Sequence, residues 1–236
     1  MKLLALDTAS AQCSVALLLG DELIVREAAT ARDHAQLILP MVDAVLAAAG
    51  MNLRQLQGIA FGRGPGSFTG VRVAASVTQG LAAGADLPVL PVSDLRALAA
   101  QALRLSGAAG HATAPGAIIA CLDARMGEVY WAAYAADAGM PGAELIPESV
   151  AAPADVIARC PRPCGGGAGR GLAAWPQIAV SLQLPAGACF PEVEPHAQDI
   201  ARLAVRDLGS GASWLDAALA QPVYLRNQVA VAKVQD

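Results

Sequence analysis

Lysine is almost absent from this chain of 236 residues, and its scarcity limits what the protein can bind. Lysine occurs only at Lys2 and Lys233, so arginine carries nearly all of the positive charge, and the formal net charge is −4. Proteins that bind nucleic acid unaided need a cluster of lysine and arginine residues to neutralise the phosphates. The sequence has no such cluster, and we therefore expect any contact with RNA to depend on a partner that supplies the charge.

Cysteine and histidine are too few and too scattered to predict a metal centre. The five cysteines include no Cys-x-x-Cys pair, and the nearest approach, Cys160-Pro-Arg-Pro-Cys164, suits neither a usual zinc knuckle nor a redox dithiol. The three histidines, His34, His111 and His196, do not have the spacing of metal ligands. We interpret the cysteines as reduced thiols in a cytoplasmic protein, and we predict neither a metal nor a cofactor.

No hydrophobic run in the sequence is long enough to cross a membrane. The apolar stretch at residues 1–6 is followed by Asp7, Ser10 and Gln12, so the sequence predicts neither export nor membrane insertion. Hydrophobic residues nevertheless make up 55% of the chain and charged residues only 15%. This composition excludes disorder and predicts a large packed core.

The order of the predicted elements repeats, without a repeat of sequence, in two halves of the chain. Each half has a pair of strands, then a helix and a further strand, and this order predicts an α/β protein of two similar lobes. Residues 106–116 have the composition of a linker. We predict an N-terminal lobe over residues 1–105, completed by a C-terminal segment at about 195–225, and a C-terminal lobe over residues 117–194.

A glycine-rich segment at residues 62–72, GRGPGSFTGVR, joins a predicted strand to a predicted helix. The free N–H groups at a helix start make such a place suitable for an anion. The segment is not a Walker loop, which requires Gly-Lys-Ser/Thr, and its glycines do not have the Gly-x-Gly-x-x-Gly spacing. The spacing alone therefore favours a tight strand-to-helix connection in which Ser67 or Thr69 caps the helix.

Three other segments resemble parts of a nucleotide cleft. Asp7 and Thr8 follow the first strand, Asp123 follows the first strand of the second half, and Gly166 and Gly167 belong to a glycine cluster that could face a nucleoside. Their matching places in two lobes resemble the superfamily of sugar kinases, actin and chaperone ATPases. Turn chemistry explains each segment alone, and no acid is paired with a lysine. An active ATPase or small-molecule kinase of this fold is the alternative function.

Two helices, predicted over residues 34–49 and 68–85, carry more apolar surface than one core requires. Either both helices are buried on two sides within the domain, or they form an interface with another protein. The candidate interface residues are Leu37, Ile38, Met41 and Val45 on the first helix and Val71, Ala74, Ala75 and Thr78 on the second.

Several blocks of the sequence together resemble the bacterial TsaB family, also called YeaZ. The blocks are residues 7–9 (DTA), 13–16 (CSVA), 34–40 (HAQLILP), 62–72 (GRGPGSFTGVR), 122–130 (LDARMGEVY) and 222–227 (PVYLRN). They are distributed along nearly the whole chain, and the glycine-rich block is the most specific of them.

The resemblance implies an actin-like fold of two lobes, each with a mixed sheet flanked by helices. It also implies a role in making threonylcarbamoyladenosine beside the anticodon of tRNAs that read codons beginning with A. In that pathway the catalytic subunit is a homologous protein, TsaD, which binds metal through His-x-x-x-His. The corresponding residues here, 92–98 (VSDLRAL), contain no histidine. The resemblance therefore implies a non-catalytic scaffold subunit.

The family also implies partners. Its members form a heterodimer with TsaD through their first two helices, allow the small ATPase subunit TsaE to dock, and pair with themselves when alone. The resemblance implies that tRNA is reached only through the complex. Older classification groups the family with metallopeptidases, but nothing in this sequence supports proteolysis.

Overall fold

A computed structural model describes residues 1–30, 32–110, 116–137 and 139–226, which form two five-stranded sheets flanked by helices. The strands of the first sheet are Lys2–Asp7 (β1), Gln12–Leu19 (β2), Glu22–Ala29 (β3), Gly58–Gly62 (β4) and Val89–Val92 (β5), in the order β3-β2-β1-β4-β5. Strands β1, β2 and β3 are antiparallel, whereas β4 and β5 run parallel to β1. The carboxyl ends of β1, β4 and β5 therefore meet at one edge of the sheet.

The second sheet repeats the topology of the first. Its strands are Ala117–Arg125 (β6), Glu128–Asp137 (β7), Met140–Ala151 (β8), Cys164–Ala168 (β9) and Cys189–Phe190 (β10), in the order β10-β9-β6-β7-β8. Again the first three strands are antiparallel and the last two run parallel to the first. This correspondence, strand for strand, confirms the predicted α/β fold of two similar units, each with a mixed sheet.

The helices form layers on both faces of the two sheets. They are His34–Ala48 (α1), Phe68–Ala85 (α2), Asp94–Ala108 (α3), Pro153–Arg159 (α4), Arg170–Ala174 (α5), Pro176–Ser181 (α6) and Ala197–Gly209 (α7). Helices α1 and α2 cover one face of the first sheet, and α3 and α7 cover the other. Helix α3 also packs on the second sheet, whose opposite face is covered by α4, α5 and α6. The central strands of both sheets, such as β1, β4 and β9, are thus buried on both faces.

This burial explains why β1 reads as a continuous apolar run. Leu4 and Leu6 belong to the core beneath α1 and α2, whereas Leu3 and Ala5 belong to the core beneath α3 and α7. Successive side chains of a strand point to opposite faces, so a strand covered on both sides needs apolar residues at every position.

The C-terminal helix α7 packs on the first sheet, far from it in sequence. The N–H of Ala197 donates to the Ser14 hydroxyl at 2.9 Å, and Arg104 of α3 forms a two-pronged ion pair with the buried Asp199, at 2.8 and 2.9 Å. These contacts support the proposal that residues 195–225 complete the N-terminal lobe. Part of the predicted linker is helical, because α3 continues to Ala108. Residues 111–115 of that linker, with His111, lie outside the described part of the chain.

Candidate functional site

The turn between β1 and β2 is fixed by the two residues that the sequence singled out. Asp7 ends β1 and is completely buried, and its Oδ1 accepts a hydrogen bond from the N–H of Ala9 at 2.9 Å. Thr8 is also completely buried, and its hydroxyl donates to the carbonyl oxygen of Gly70 at 2.7 Å. The structure thus ties this turn to the start of α2, and the Thr8 hydroxyl is already engaged.

The glycine-rich segment packs directly against the same turn. The N–H of Ser67 donates to the carbonyl oxygen of Ala9 at 2.6 Å. A Cβ atom on Gly66 would lie 2.8 Å from the Cβ of Ala9, and one on Gly70 would penetrate the carbonyl oxygen of Thr8. Glycine is therefore required at both positions by the close approach of two backbone segments. That approach fills the space in which an anion between turn and helix would sit.

Several backbone N–H groups in the glycine-rich segment donate hydrogen bonds to acceptors within the chain. The N–H of Arg63 donates to the carbonyl of Val92 at 2.9 Å, and that of Gly64 donates to the Asp94 carboxyl group. At the helix start the Ser67 hydroxyl accepts from Gly70 at 3.5 Å. The prediction of a tight connection capped by Ser67 is confirmed, and the phosphate-cradle reading of this segment is not supported.

The structure adds Asp94, which no sequence motif indicates, to the edge where β1, β4 and β5 end. Asp94 is the first residue of α3 and is completely buried, as is Asp7. A Cβ atom on Gly62 would lie 2.7 Å from Asp7 Oδ1 and would clash with Asp94 Oδ1, so the two carboxyl groups meet over this glycine. A sequence signal was available, because acids at the carboxyl ends of parallel strands lie at the same edge of the sheet, and β1 and β5 both flank β4.

Burial and mutual proximity favour the retention of a proton by the two carboxyl groups. Asp7 Oδ2 and Asp94 Oδ1 are buried and have no hydrogen-bond partner among the described residues, although the two carboxyl groups lie close together over Gly62. Two ionised carboxylates cannot donate to one another, so a hydrogen bond between them requires a proton. Burial raises the pKa of Asp7 to about 7, and burial together with the charge of Asp7 raises the pKa of Asp94 well above its usual range.

The cleft candidates of the second half do not join this pair. Asp123 accepts from the N–H of Arg125 at 2.9 Å and forms an ion pair with its exposed guanidinium group at 3.3 Å, as expected of a turn residue. Gly166 and Gly167 are buried inside strand β9, so the interpretation of this cluster as a nucleoside-facing loop is wrong. Glycine is needed there because neighbouring segments approach so closely that a Cβ on Gly166 would lie 2.7 Å from a backbone oxygen.

Neither a metal cluster nor a membrane span is found in the part of the chain that the structure describes. Over residues 1–30, 32–110, 116–137 and 139–226, no three His, Cys, Asp or Glu side chains lie close enough to hold a metal ion together. Within the same ranges no helix is both long and apolar enough to cross a membrane.

The burial of α1 and α2 corrects the predicted choice of interface residues. Most of the candidates point into the chain's own core, because α1 and α2 cover the first sheet and bury these side chains against it. The buried candidates are Ile38, Val45, Val71, Ala74, Ala75 and Thr78. Leu37 and Met41 are half-buried and pack on the same core. None of the six buried residues offers a surface to a partner.

A different side of the same two helices is exposed, and we call it the α1–α2 face. It consists of the exposed Ala35 and Leu39 of α1, the exposed Phe68, Thr69, Arg72 and Ser76 of α2, and the half-buried Val73 and Val77 of α2. Seven of these eight residues carry no charge, and a groove of about 340 Å³ lies along the face. Phe68 is 61% exposed and Leu39 is 46% exposed.

The one charged residue of the α1–α2 face is held against aromatic rings. The guanidinium carbon of Arg72 lies 3.3 Å from the centre of the Phe68 ring and 5.1 Å from that of Tyr224. Stacked in this way, an arginine presents a flat, weakly hydrated surface rather than a free charge. The face is therefore apolar in character over most of its extent.

Comparisons with known proteins agree with the geometry. The family model described as TsaD, tRNA N6-adenosine threonylcarbamoyltransferase, matches residues 25–173. The tRNA threonylcarbamoyladenosine biosynthesis protein TsaB of Escherichia coli K12 is 39% identical, covering 99% of this chain and 98% of its own length. TsaB of Haemophilus influenzae is 38% identical, with coverages of 97% and 95%.

Solved structures give the same result. The structure of YeaZ from Pseudomonas aeruginosa superposes with a TM-score of 0.79 at 39% identity, covering 95% of this chain and 99% of that one. A second Pseudomonas aeruginosa structure, described as similar to peptidase YEAZ, gives a TM-score of 0.81 at the same identity and coverage. On fold, sequence identity and full-length coverage together, the chain belongs to the TsaB (YeaZ) family of tRNA threonylcarbamoyladenosine biosynthesis proteins.

Proposed function

We propose that this chain is a non-catalytic subunit in the synthesis of threonylcarbamoyladenosine in tRNA, and that it supports the catalytic paralogue TsaD by binding it. The observation that carries the proposal is the closure of the glycine-rich segment onto the β1–β2 turn. In that closure Ser67 donates to Ala9 and Thr8 donates to Gly70. A nucleotide phosphate would need the space and the N–H groups that these contacts use.

The residues for metal-assisted chemistry are missing as well. Residues 92–98 contain no histidine, and Asp94 within them is turned inward to the buried pair with Asp7. An acid that shares a proton with its neighbour is a poor ligand for a cation at neutral pH, because the metal must displace that proton. Together with the closed segment, this arrangement supports a structural role.

The α1–α2 face supports the choice of TsaD as the partner. An exposed apolar surface with a central aromatic and a stacked arginine has the composition of a protein–protein interface. Because this chain matches the TsaD family model, the two proteins share a fold, and paralogues of one fold can pair through corresponding helices. We propose that the same face forms a homodimer interface when the chain is alone. We also propose that TsaE docks on the heterodimer with TsaD. With a net charge of −4, contact with tRNA is assigned to the complex.

Calorimetric titration of the full chain with TsaD from the same organism, with light scattering of the mixture, tests the proposal. We expect a one-to-one complex of micromolar affinity or better. An ATPase assay on the separate chain, and on an Asp7→Ala variant, tests the alternative function. Absence of binding, with ATP turnover that disappears in the variant, would show that the chain is a working enzyme of this fold.

Phe68→Glu is expected to weaken binding of TsaD at least about tenfold, because it places a charge in the apolar centre of the interface. The fold should tolerate the change, since Phe68 is exposed and a carboxylate is favourable in the first turn of a helix. Val180→Glu is the matched control, because Val180 is a 75% exposed apolar residue on α6. Equal affinities for the two variants would remove the α1–α2 face from the interface.

A further inference from the structure

Cys160 and Cys164 lie on either side of a tight turn in the second lobe. Cys160 follows the last residue of α4, and its N–H donates to the carbonyl of Val156 at 2.9 Å. Cys164 is the first residue of β9 and is paired with Ala117 of β6. The two Sγ atoms are 3.5 Å apart, which is van der Waals contact between sulfur atoms.

This contact leaves a short path to a disulfide. An S–S bond is about 2.0 Å long, so the sulfur atoms need to approach by about 1.5 Å. The helix end and the strand start fix the two ends of the turn, while Arg162 and Pro163 between them are exposed. A small adjustment of an exposed turn, rather than of the core, can therefore bring the sulfur atoms together.

Cys164 also differs from the other cysteines in acidity. The hydrogen bond from the Cys160 thiol, with the charge of Arg162, lowers the pKa of Cys164 to about 7. In the dithiol form the Cys164 thiol donates to the carbonyl of Pro161 at 3.2 Å. The Cys160 thiol supplies the hydrogen bond to the Cys164 sulfur, and the same contact raises the pKa of Cys160 itself. A thiolate is the reactive form of cysteine, so this hydrogen-bond arrangement favours Cys164 as the nucleophile of the pair.

The three remaining cysteines provide the contrast. Burial raises the pKa of Cys13 to about 11 and also raises the pKa values of Cys121 and Cys189. Cys13 and Cys121 are completely buried, whereas Cys189 is half-buried and is the most accessible cysteine. Cys160 and Cys164 are only 6% and 7% exposed, and they flank an exposed turn. Exposure alone would therefore predict that Cys189 is oxidised first. The lowered pKa of Cys164 and the short distance between the two Sγ atoms instead predict that Cys160 and Cys164 react first.

We propose that Cys160 and Cys164 are a redox-sensitive pair that hydrogen peroxide oxidises reversibly to a disulfide. This inference revises the expectation, drawn from spacing, that the two residues suit no redox role. In the first step the Cys164 thiolate attacks one peroxide oxygen, so that an S–O bond forms, the O–O bond breaks and hydroxide leaves. The product on Cys164 is a sulfenic acid.

In the second step the Cys160 sulfur attacks the sulfenic sulfur. The S–S bond forms and the S–O bond breaks, and the protons of the two original thiols complete the two water molecules. Two thiols and one peroxide thus give one disulfide and two waters, the sulfur atoms losing the two electrons that the peroxide gains. A small dithiol restores the pair by exchange. The step is independent of the α1–α2 face and of the proposed role beside TsaD.

Peptide mapping of the full, reduced chain after peroxide treatment tests the pair. Trypsin cleaves after Arg159 and Arg170 but not at the Arg162–Pro163 bond, so both cysteines remain in one peptide, residues 160–170. Free thiols are alkylated before digestion. We expect this peptide to become two hydrogen masses lighter and resistant to alkylation, at least about tenfold faster than Cys189 is modified. Oxidation of Cys189 first, or a peptide that stays fully alkylated, would overturn the proposal.

Two variants separate the roles of the cysteines. In Cys160→Ser the serine hydroxyl can still donate to Cys164, but no second thiol is present, so a sulfenic acid should accumulate on Cys164 and react with dimedone. Cys189→Ser should leave disulfide formation unchanged. If Cys160→Ser gives no dimedone adduct while its thermal unfolding matches that of the parent chain, Cys164 is not the nucleophile. The mapping of the parent chain does not depend on how either variant folds.

Discussion

Gly70→Ala is expected to destabilise the protein by about 3 kcal/mol or more, an effect at the upper end for a single added methyl group. The Cβ atom would penetrate the carbonyl oxygen of Thr8, a backbone atom that cannot rotate away. Moving it would also stretch the 2.7 Å hydrogen bond from the Thr8 hydroxyl to the carbonyl of Gly70. The variant therefore has to separate α2 from the β1–β2 turn.

Gly80→Ala, later on the same helix, is the matched control. A Cβ atom at Gly80 meets no atom within 4 Å, and the residue is exposed. Alanine is the better helix former, so this variant is expected to gain about 0.5–1 kcal/mol. Urea unfolding followed by circular dichroism measures both changes. If the two variants had similar stability, the contact between helix and turn would not be the reason for glycine at position 70.

The elements that the sequence predicted correctly are those in which local and global requirements agree. The strands of the first hairpin are continuous apolar runs broken by turn residues, and the predicted helix over 68–85 coincides with α2 because Ser67 caps it. Strand β8, Met140–Ala151, was not predicted, because it contains prolines and has little apolar alternation. It lies at the edge of the second sheet, where a proline need not donate to a neighbour.

The candidate site was harder to predict, because the burial and packing of its residues depend on segments that are distant in sequence. Glycines such as Gly167 resemble a loop in sequence, yet here they allow β6 and β9 to pack closely. On α1 and α2, valine, leucine and alanine occupy several sides, so the sequence could not tell the core side from the exposed one. Only the position of the first sheet decides that Ala75 is buried while Phe68 is exposed.

Asp94→Asn is expected to stabilise the protein at pH 7 by about 2 kcal/mol or more, because it removes one of two buried acids that compete for a proton. Asparagine has the same shape, so its Oδ1 can still accept from the N–H of Gly64. Its amide N–H can donate to Asp7 without a shared proton. Asp94→Ala would lack both contacts and leave the buried Gly64 N–H without its acceptor, so only the asparagine variant is expected to be stabilised.

The pH dependence of the stability gain distinguishes the removal of a buried acid from a simple change in packing. The folded pKa values of Asp7 and Asp94 are raised, so the stability that the pair contributes is full below about pH 4 and is lost as the pH rises towards 7 and beyond. Each proton retained only by the folded state changes the free energy of unfolding by about 1.4 kcal/mol per pH unit. The advantage of Asp94→Asn over the parent chain should therefore be small at pH 4 and grow by up to that amount per unit.

Urea unfolding at several pH values between 4 and 7 measures this difference in the free energy of unfolding. Two charged neighbours also affect the pKa values of the pair. Glu194, whose pKa burial raises, adds a negative charge near Asp7, while Arg63 acts in the opposite direction on Asp94. Glu194 acts on Asp7 in both chains, whereas the effect of Arg63 on Asp94 is lost with the Asp94 charge and is therefore part of the measured difference. Asp43→Asn, at an exposed position of α1, controls for the loss of one negative charge. Parallel curves for the parent chain and Asp94→Asn would mean that the pair holds no proton, and the closed edge of the sheet would then need another source of charge balance.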